Sequence, residues 1–126
     1  MEKATIDNLI ERILSIGPGY SREDLAYLYE AESIQEYRFL SQAGDADKRM
    51  DYLIKEIIRC GQPNLLDGDK YLILVASSPE YQLLMKELPA IGTIVEHLQD
   101  HGSVSFDFGI KEGLDKELEV LIVRSR

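Results

Sequence analysis

Cysteine is almost missing from this chain. Cys60 is the only one, so no intramolecular disulfide forms, and no histidine or second cysteine stands at metal-ligand spacing from it. A reducing, cytoplasmic setting is expected, with Cys60 packed as a small apolar residue. Proline and glycine are sparse, at 4 and 9 of 126 residues, which excludes collagen-like and low-complexity chains. Positive charge is scarce too: 14 Lys and Arg face 23 Asp and Glu, a formal net charge of -9. That sign repels phosphate backbones and anionic lipid surfaces, so neither nucleic acid nor a membrane is expected as a partner. The densest basic positions, Lys48 and Arg49, are set among Asp45, Asp47 and Asp51. The opening stretch MEKATIDNLIERIL alternates charged with apolar residues and is therefore neither a signal peptide nor a membrane span.

What is present is the composition of an ordinary globular protein, 44% hydrophobic and 29% charged. A chain of this length buries roughly two-thirds of the surface its unfolded form exposes, so residues 1–126 are expected to form a single domain around one core.

Ile6, Leu9, Ile10, Ile13 and Leu14 recur at helical spacing, and the helix they predict stops at Gly17-Pro18-Gly19, where the proline lacks an N–H and the glycines favour a turn. Ser21, with Asp24 three residues on, resembles a capping box opening a second short helix. The aromatic-containing stretch from Ser33 to Ala43 predicts a partly exposed strand. Met50, Leu53, Ile54, Ile57 and Ile58 make an apolar stripe along a helix from Asp45 to Cys60, capped by Asp45 or Asp47. Tyr71 to Ala76 is a continuous apolar run bounded by breakers and predicts a strand buried on both faces. A turn or two of helix is expected between Ser78 and Leu88. A further helix then begins at Pro89, runs through Ile91, Ile94, Val95 and Leu98, and ends at Gly102. Two alternating stretches follow, Val104 to Ile110 and Leu118 to Val123, expected as a hairpin. The order predicts an α/β fold, a two-layer sandwich with a mixed sheet of about four strands and packed helices.

Several local words, in order, resemble the C-terminal domain of FtsZ, the bacterial tubulin homologue. Pro63-Asn64-Leu65-Leu66-Asp67 is similar to that family's S-S-P-L-L-E-D. Tyr71-Leu72-Ile73-Leu74-Val75-Ala76-Ser77 is similar to G-V-L-V-N-I-T, and Lys116 to Ser125 to D-E-L-R-V-T-V-V-A-T. Earlier, Pro18-Gly19-Tyr20-Ser21-Arg22-Glu23-Asp24-Leu25-Ala26-Tyr27-Leu28 resembles P-G-L-I-N-V-D-F-A-D-V without a gap. The resemblance implies that residues 1–31 hold the end of a central helix, a loop like the family's synergy loop and a short helix, with the sandwich in residues 32–126. In FtsZ that loop projects toward the nucleotide of the next subunit in a filament, and the acidic residues of N-x-D-x-x-D help position the attacking water.

The departures from the family carry the functional expectation. Neither G-G-G-T-G-S/T-G nor G-x-x-x-x-G-K-S/T occurs, so there is no glycine-rich cradle for phosphates and no cofactor is expected. Asp24 matches the first motif aspartate, but Arg22 replaces the asparagine and Tyr27 the second aspartate, which removes the carboxylates that orient water beside a phosphate. The expectation is a non-catalytic interaction or assembly module that caps or modulates an FtsZ-type polymer. Its partner would be an FtsZ-type subunit or a second copy, contacted through Tyr20, Arg22, Glu23, Asp24 and Tyr27, with Tyr29 either beside them or in the core.

Blander readings stand beside these. Asp24 near a helix start serves capping as readily as contact, and His97 with His101, four apart, lack a third metal ligand. The acidic clusters Asp45/Asp47/Asp51 and Glu112/Asp115/Glu117 lack EF-hand spacing and read as solvated turns. Two rival functions remain: a small ligand-binding domain or enzyme reusing the same sandwich, and an acidic inhibitor of a basic protein.

Overall fold

The computed structural model describes residues 2–41, 48–59 and 65–126. Its elements are α1 (Lys3–Ile16), α2 (Arg22–Leu25) running into a 3-10 turn at Ala26–Glu30, β1 (Ile34–Leu40), α3 (Arg49–Arg59), β2 (Lys70–Ser77), a 3-10 turn at Met85–Glu87, α4 (Leu88–Gln99), β3 (Ser103–Ile110) and β4 (Glu119–Ser125). The proposed cap residues Asp45 and Asp47, Cys60, and the turn at 61–64 with its Pro63-Asn64 word lie outside the described residues.

Burial decides where each strand sits. Every residue of β4 is buried, and so is every residue of β2 after Lys70, so both strands need neighbours on each side and cover on each face. The sheet order is β1-β4-β2-β3, with β4 antiparallel to both its neighbours and β2 parallel to β3. The mixed four-stranded α/β sheet is as expected. The hairpin is not: β3 and β4 are separated by β2. The near-continuous apolar run Leu118 to Val123 is a central strand's signature, whereas β3 keeps exposed residues and takes an edge. The parallel β2–β3 pair is joined through α4, the crossover such a pair requires.

Helices cover both faces, so the sheet is the middle of three layers and not one of two. On one face α3 and α4 bury Met50, Leu53, Ile57, Ile91, Ile94 and Leu98 against Tyr71, Ile73, Val75, Val120 and Ile122. On the other, α1 and the short helical segment after it bury Ile6, Leu9, Ile10, Ile13, Leu25 and Leu28 against Leu72, Leu74, Leu121 and Val123. The alternation of side chains along β2 and β4 feeds the two cores in turn. Each of these aliphatic side chains contributes about 1.5–3 kcal/mol by leaving water. Ile58, expected in the stripe of α3, instead faces out.

One buried ion pair ties the loops together. Arg49 donates to both carboxylate oxygens of Glu87 at 2.8 Å and to the carbonyls of Tyr81, Gln82 and Lys116 at 2.8–3.1 Å. The pair closes the segment between β2 and α4, where the expected helical turn is the short Met85–Glu87 piece. Pro89 lies in the first turn of α4, where its missing N–H leaves no hydrogen bond unmade.

Candidate functional site

The segment from Gly17 to Tyr27 is built against the far edge of the sheet. α1 ends with the Gly17 amide donating to the Ile13 carbonyl at 2.8 Å, and the chain then turns directly over β3. A β-carbon on Gly109 would lie 1.7 Å from the Ile16 carbonyl oxygen, so glycine is required on β3 for α1 to finish there. Asp107, two residues earlier, accepts the Gly19 amide at 2.7 Å. The Tyr20 hydroxyl donates to Ser105 Oγ at 3.0 Å on the same strand.

Ser21 and Asp24 then form the capping box that their spacing predicts. Ser21 Oγ accepts the Asp24 amide at 3.2 Å, and the Asp24 carboxylate accepts the Ser21 amide at 2.9 Å. The carboxylate that matches the family's aspartate is thereby engaged in holding its own loop. Arg22 and Glu23 are exposed on the outer side, with Arg22 paired to Glu11 of α1. Tyr29 does not join the core: it is exposed, and its hydroxyl donates to Asp7, because the 3-10 turn directs Leu28 inward.

Tyr20, Asp24 and Tyr27 line one concavity of about 340 Å³ together with Lys70, Tyr71 and Ser105. Lys70 Nζ lies 4.4 Å from the centre of the Tyr27 ring, a cation–π distance. Burial, with a smaller contribution from Tyr20, pushes the Tyr27 phenol up to about 12. Burial also raises the Tyr20 phenol, opposed by its hydrogen bond to Ser105. Both rings therefore stay neutral at physiological pH and offer hydrogen-bonding and aromatic surface rather than negative charge. Arg22 and Glu23 are not among the lining residues. Lys70, Ser105 and Asp107 were not anticipated from sequence; the one available signal was Asp107, a lone charge in an otherwise uncharged strand.

A second concavity, of about 310 Å³, lies between α1 and the sheet over Leu74 and Leu121, with Arg12, Arg38, Lys111 and Glu119 around it. Glu112 also lines it, and four of its charged residues are in ion pairs. Arg12 donates to Glu36 at 2.9 and 3.2 Å, while the buried Glu119 is held by Arg38 at 2.8 Å and Lys111 at 2.7 Å. Among the described residues no group of three or more potential metal ligands occurs, and no helix is long and apolar enough to cross a membrane.

This architecture is that of FtsZ/tubulin-type proteins. FtsZ from M. jannaschii superposes with a TM-score of 0.61 at 18% identity, over 83% of this chain and 31% of that one. CetZ1 from Haloferax volcanii gives 0.55 at 13%, over 94% and 38%. TubZ from Bacillus thuringiensis serovar israelensis, as GDP-form protofilaments, gives 0.54 at 10%, over 87% and 32%. At these identities the likeness establishes the fold. The chain spans about a third of the length of each of these structures. Neither a protein-family model nor a curated protein sequence matches it.

Proposed function

We propose that this chain is a non-catalytic assembly module equivalent to the C-terminal domain of FtsZ, and that it caps or modulates an FtsZ-type polymer through the segment from Tyr20 to Tyr27. The observation that carries the reading is the concavity of Tyr20, Asp24 and Tyr27, braced by Asp107 and by the capping box. A surface already ordered before binding saves the entropy of ordering it on association. Tyrosine is enriched among the residues that dominate protein interfaces.

The chemistry supports binding over hydrolysis. Asp24 is engaged by the Ser21 amide, Tyr27 carries no negative charge at neutral pH, and Arg22 is paired with Glu11. None of the three provides the free carboxylate that orients an attacking water. Filament formation is a property of related folds, such as the TubZ protofilaments, and it supplies the class of partner: the nucleotide-facing end of an FtsZ-type subunit.

Pelleting of GTP-assembled FtsZ with and without the purified chain tests this reading. The expected result is a changed polymer yield that Tyr27→Ala abolishes and Asp24→Asn, which keeps an acceptor for the Ser21 amide, weakens. No co-pelleting and no change in yield would refute it. A second reading, a small ligand-binding domain, is favoured by the cavity over Leu74 and Leu121; its apolar floor suits a largely apolar molecule. Thermal stabilisation by such a compound, lost in Leu121→Trp, would support it.

A further inference from the structure

Arg12, Arg22, Arg38, Arg49, Lys111 and Arg126 each stand in an ion pair with one of the chain's own acids. Lys70 differs from all of them. Among the described residues its ammonium has one partner, the Tyr27 ring 4.4 Å away. No carboxylate of those residues lies within ion-pair distance of it, although the chain carries 23 Asp and Glu and Asp69 is its immediate neighbour.

Lys70 opens β2 on the sheet face beneath α1, as the alternation through the buried Leu72 and Leu74 requires. Ser103 is opposite it on β3 and Ser105 is opposite Leu72, so a lysine and two serines lie together in the concavity walled by Tyr20 and Tyr27. Ser105 Oγ accepts from Tyr20 and keeps its own hydrogen to donate. Among the described residues the hydroxyls of Ser103 and Tyr27 have no hydrogen-bond partner. The two carboxylates near Tyr20 are committed, Asp24 to the Ser21 amide at 2.9 Å and Asp107 to the Gly19 amide at 2.7 Å. The concavity thus has a Tyr20 end, where acids hold the loop, and a Lys70 end, where donors lack an acceptor.

We propose that Lys70 selects the partner of this surface, and that the Lys70 end of the concavity takes an Asp or Glu side chain of a partner protein, with Ser103 and Ser105 completing its hydrogen bonds. The proposal rests on the reading of the Tyr20–Tyr27 segment as a binding surface and names the group it binds. An ionised carboxylate only accepts, with two oxygens to share among several donors, and its hydrogen bond to an ammonium is roughly twice as strong as a neutral one. The Tyr27 face steadies the ammonium by a cation–π contact and leaves its charge to be neutralised. Charge also sets the specificity. A body of net charge -9 repels acidic surfaces in general, so the accepted partner is one whose acid reaches Lys70 while the rest of its surface stays clear of Asp24.

A blocked triglutamate peptide titrated into the isotope-labelled full chain tests the proposal by NMR, with triglutamine as the neutral isostere. Triglutamate is expected to give saturable shifts at the amides of Tyr27, Ser103 and Ser105, with binding at least about tenfold tighter than that of triglutamine. Lys70→Met, which keeps the apolar stem, should lose that preference and Lys70→Arg should keep it. No shift at these amides, or equal binding of the two peptides, would overturn the proposal. Pelleting with GTP-assembled FtsZ separates it from the reading on which it rests. Lys70→Met should bind the polymer about tenfold more weakly than the unaltered chain near ~50 mM salt, and the gap should narrow by ~500 mM, because screening weakens a charge contact and spares a packing one. A gap that salt does not narrow, or no gap, would assign Lys70 to packing and overturn the proposal while leaving FtsZ as the partner. Triglutamate binding without any co-pelleting would refute FtsZ as the partner and uphold the carboxylate site.

Discussion

The Asp107 carboxylate on β3 accepts the Gly19 amide at 2.7 Å across 88 residues of sequence, and that one contact aims the loop bearing Tyr20 at the concavity. A β-carbon on Gly19 would lie 2.9 Å from the same carboxylate oxygen, so any larger residue there would make the Asp107 side chain shift. Asp107→Ala should cost about 1.5–3 kcal/mol, the range for a hydrogen bond to a charged group. Asp107→Asn should cost less, since the amide oxygen still accepts. Urea denaturation gives the energies, and faster hydrogen exchange at the Gly19 amide in the alanine variant would locate the effect.

The capping box should behave as a local device. Ser21→Ala removes the acceptor of the Asp24 amide and is expected to lower stability by about 1 kcal/mol. The change should raise exchange in residues 22–30 while leaving β2 and β4 protected. Loss of protection across the whole sheet would show that the short helix is a more central part of the fold than its packing implies.

The Arg49–Glu87 pair predicts both a mutational and a pH effect. Truncating Arg49 to methionine strands a buried carboxylate and the three carbonyls of Tyr81, Gln82 and Lys116, and removal of one partner of such a pair costs about 3–5 kcal/mol. Burial alone would raise the Glu87 pKa, but the hydrogen bonds from Arg49 and the Leu84 amide, with the Arg49 charge, outweigh it and hold the carboxyl below its ordinary value. Its folded pKa is therefore depressed. The associated stability is present above the unfolded value near 4.5 and drains away as pH falls through the folded one. Glu87→Gln should flatten that acid limb in thermal melts between about pH 5 and 2.

Tyr27 should be detectable by its ionisation. Its phenol is pushed from 10.0 up to about 12 by burial, so the folded state holds the proton longer than the unfolded chain. The stability this contributes is complete below about pH 10 and is lost as pH rises toward about 12. Ultraviolet titration of the folded protein should show a late tyrosinate step that disappears in Tyr27→Phe.

Local signals in the sequence carried much of the fold. The stripe of α1, the capping box, the buried run of β2 and the proline opening α4 are all set by residues within a few positions of one another, and each has its expected role in the structure. What depended on distant pairing was less legible. The alternation of β3 followed at once by β4 looks like a hairpin until the burial of β4 on both faces demands two strand neighbours. The third layer was hidden for the same reason, since nothing in α1 names the sheet face that Leu9 and Ile13 will meet. At the candidate site Tyr20, Asp24 and Tyr27 came from the local resemblance, whereas Lys70 and Ser105 come from strands far along the chain. Arg22 and Glu23, adjacent in sequence, turn outward because a helical turn separates neighbouring side chains.

The strand at the middle of the sheet is the last of the four to be synthesised. Until β4 emerges from the ribosome, β1 has no neighbour and β2 exposes one long side, so the nascent chain carries two incomplete half-sheets rather than a growing one. Closure is then a late, long-range event of the kind that slows folding. During that interval the apolar β2 edge is open to other chains, the kind of transient exposure that makes a folding intermediate prone to aggregate.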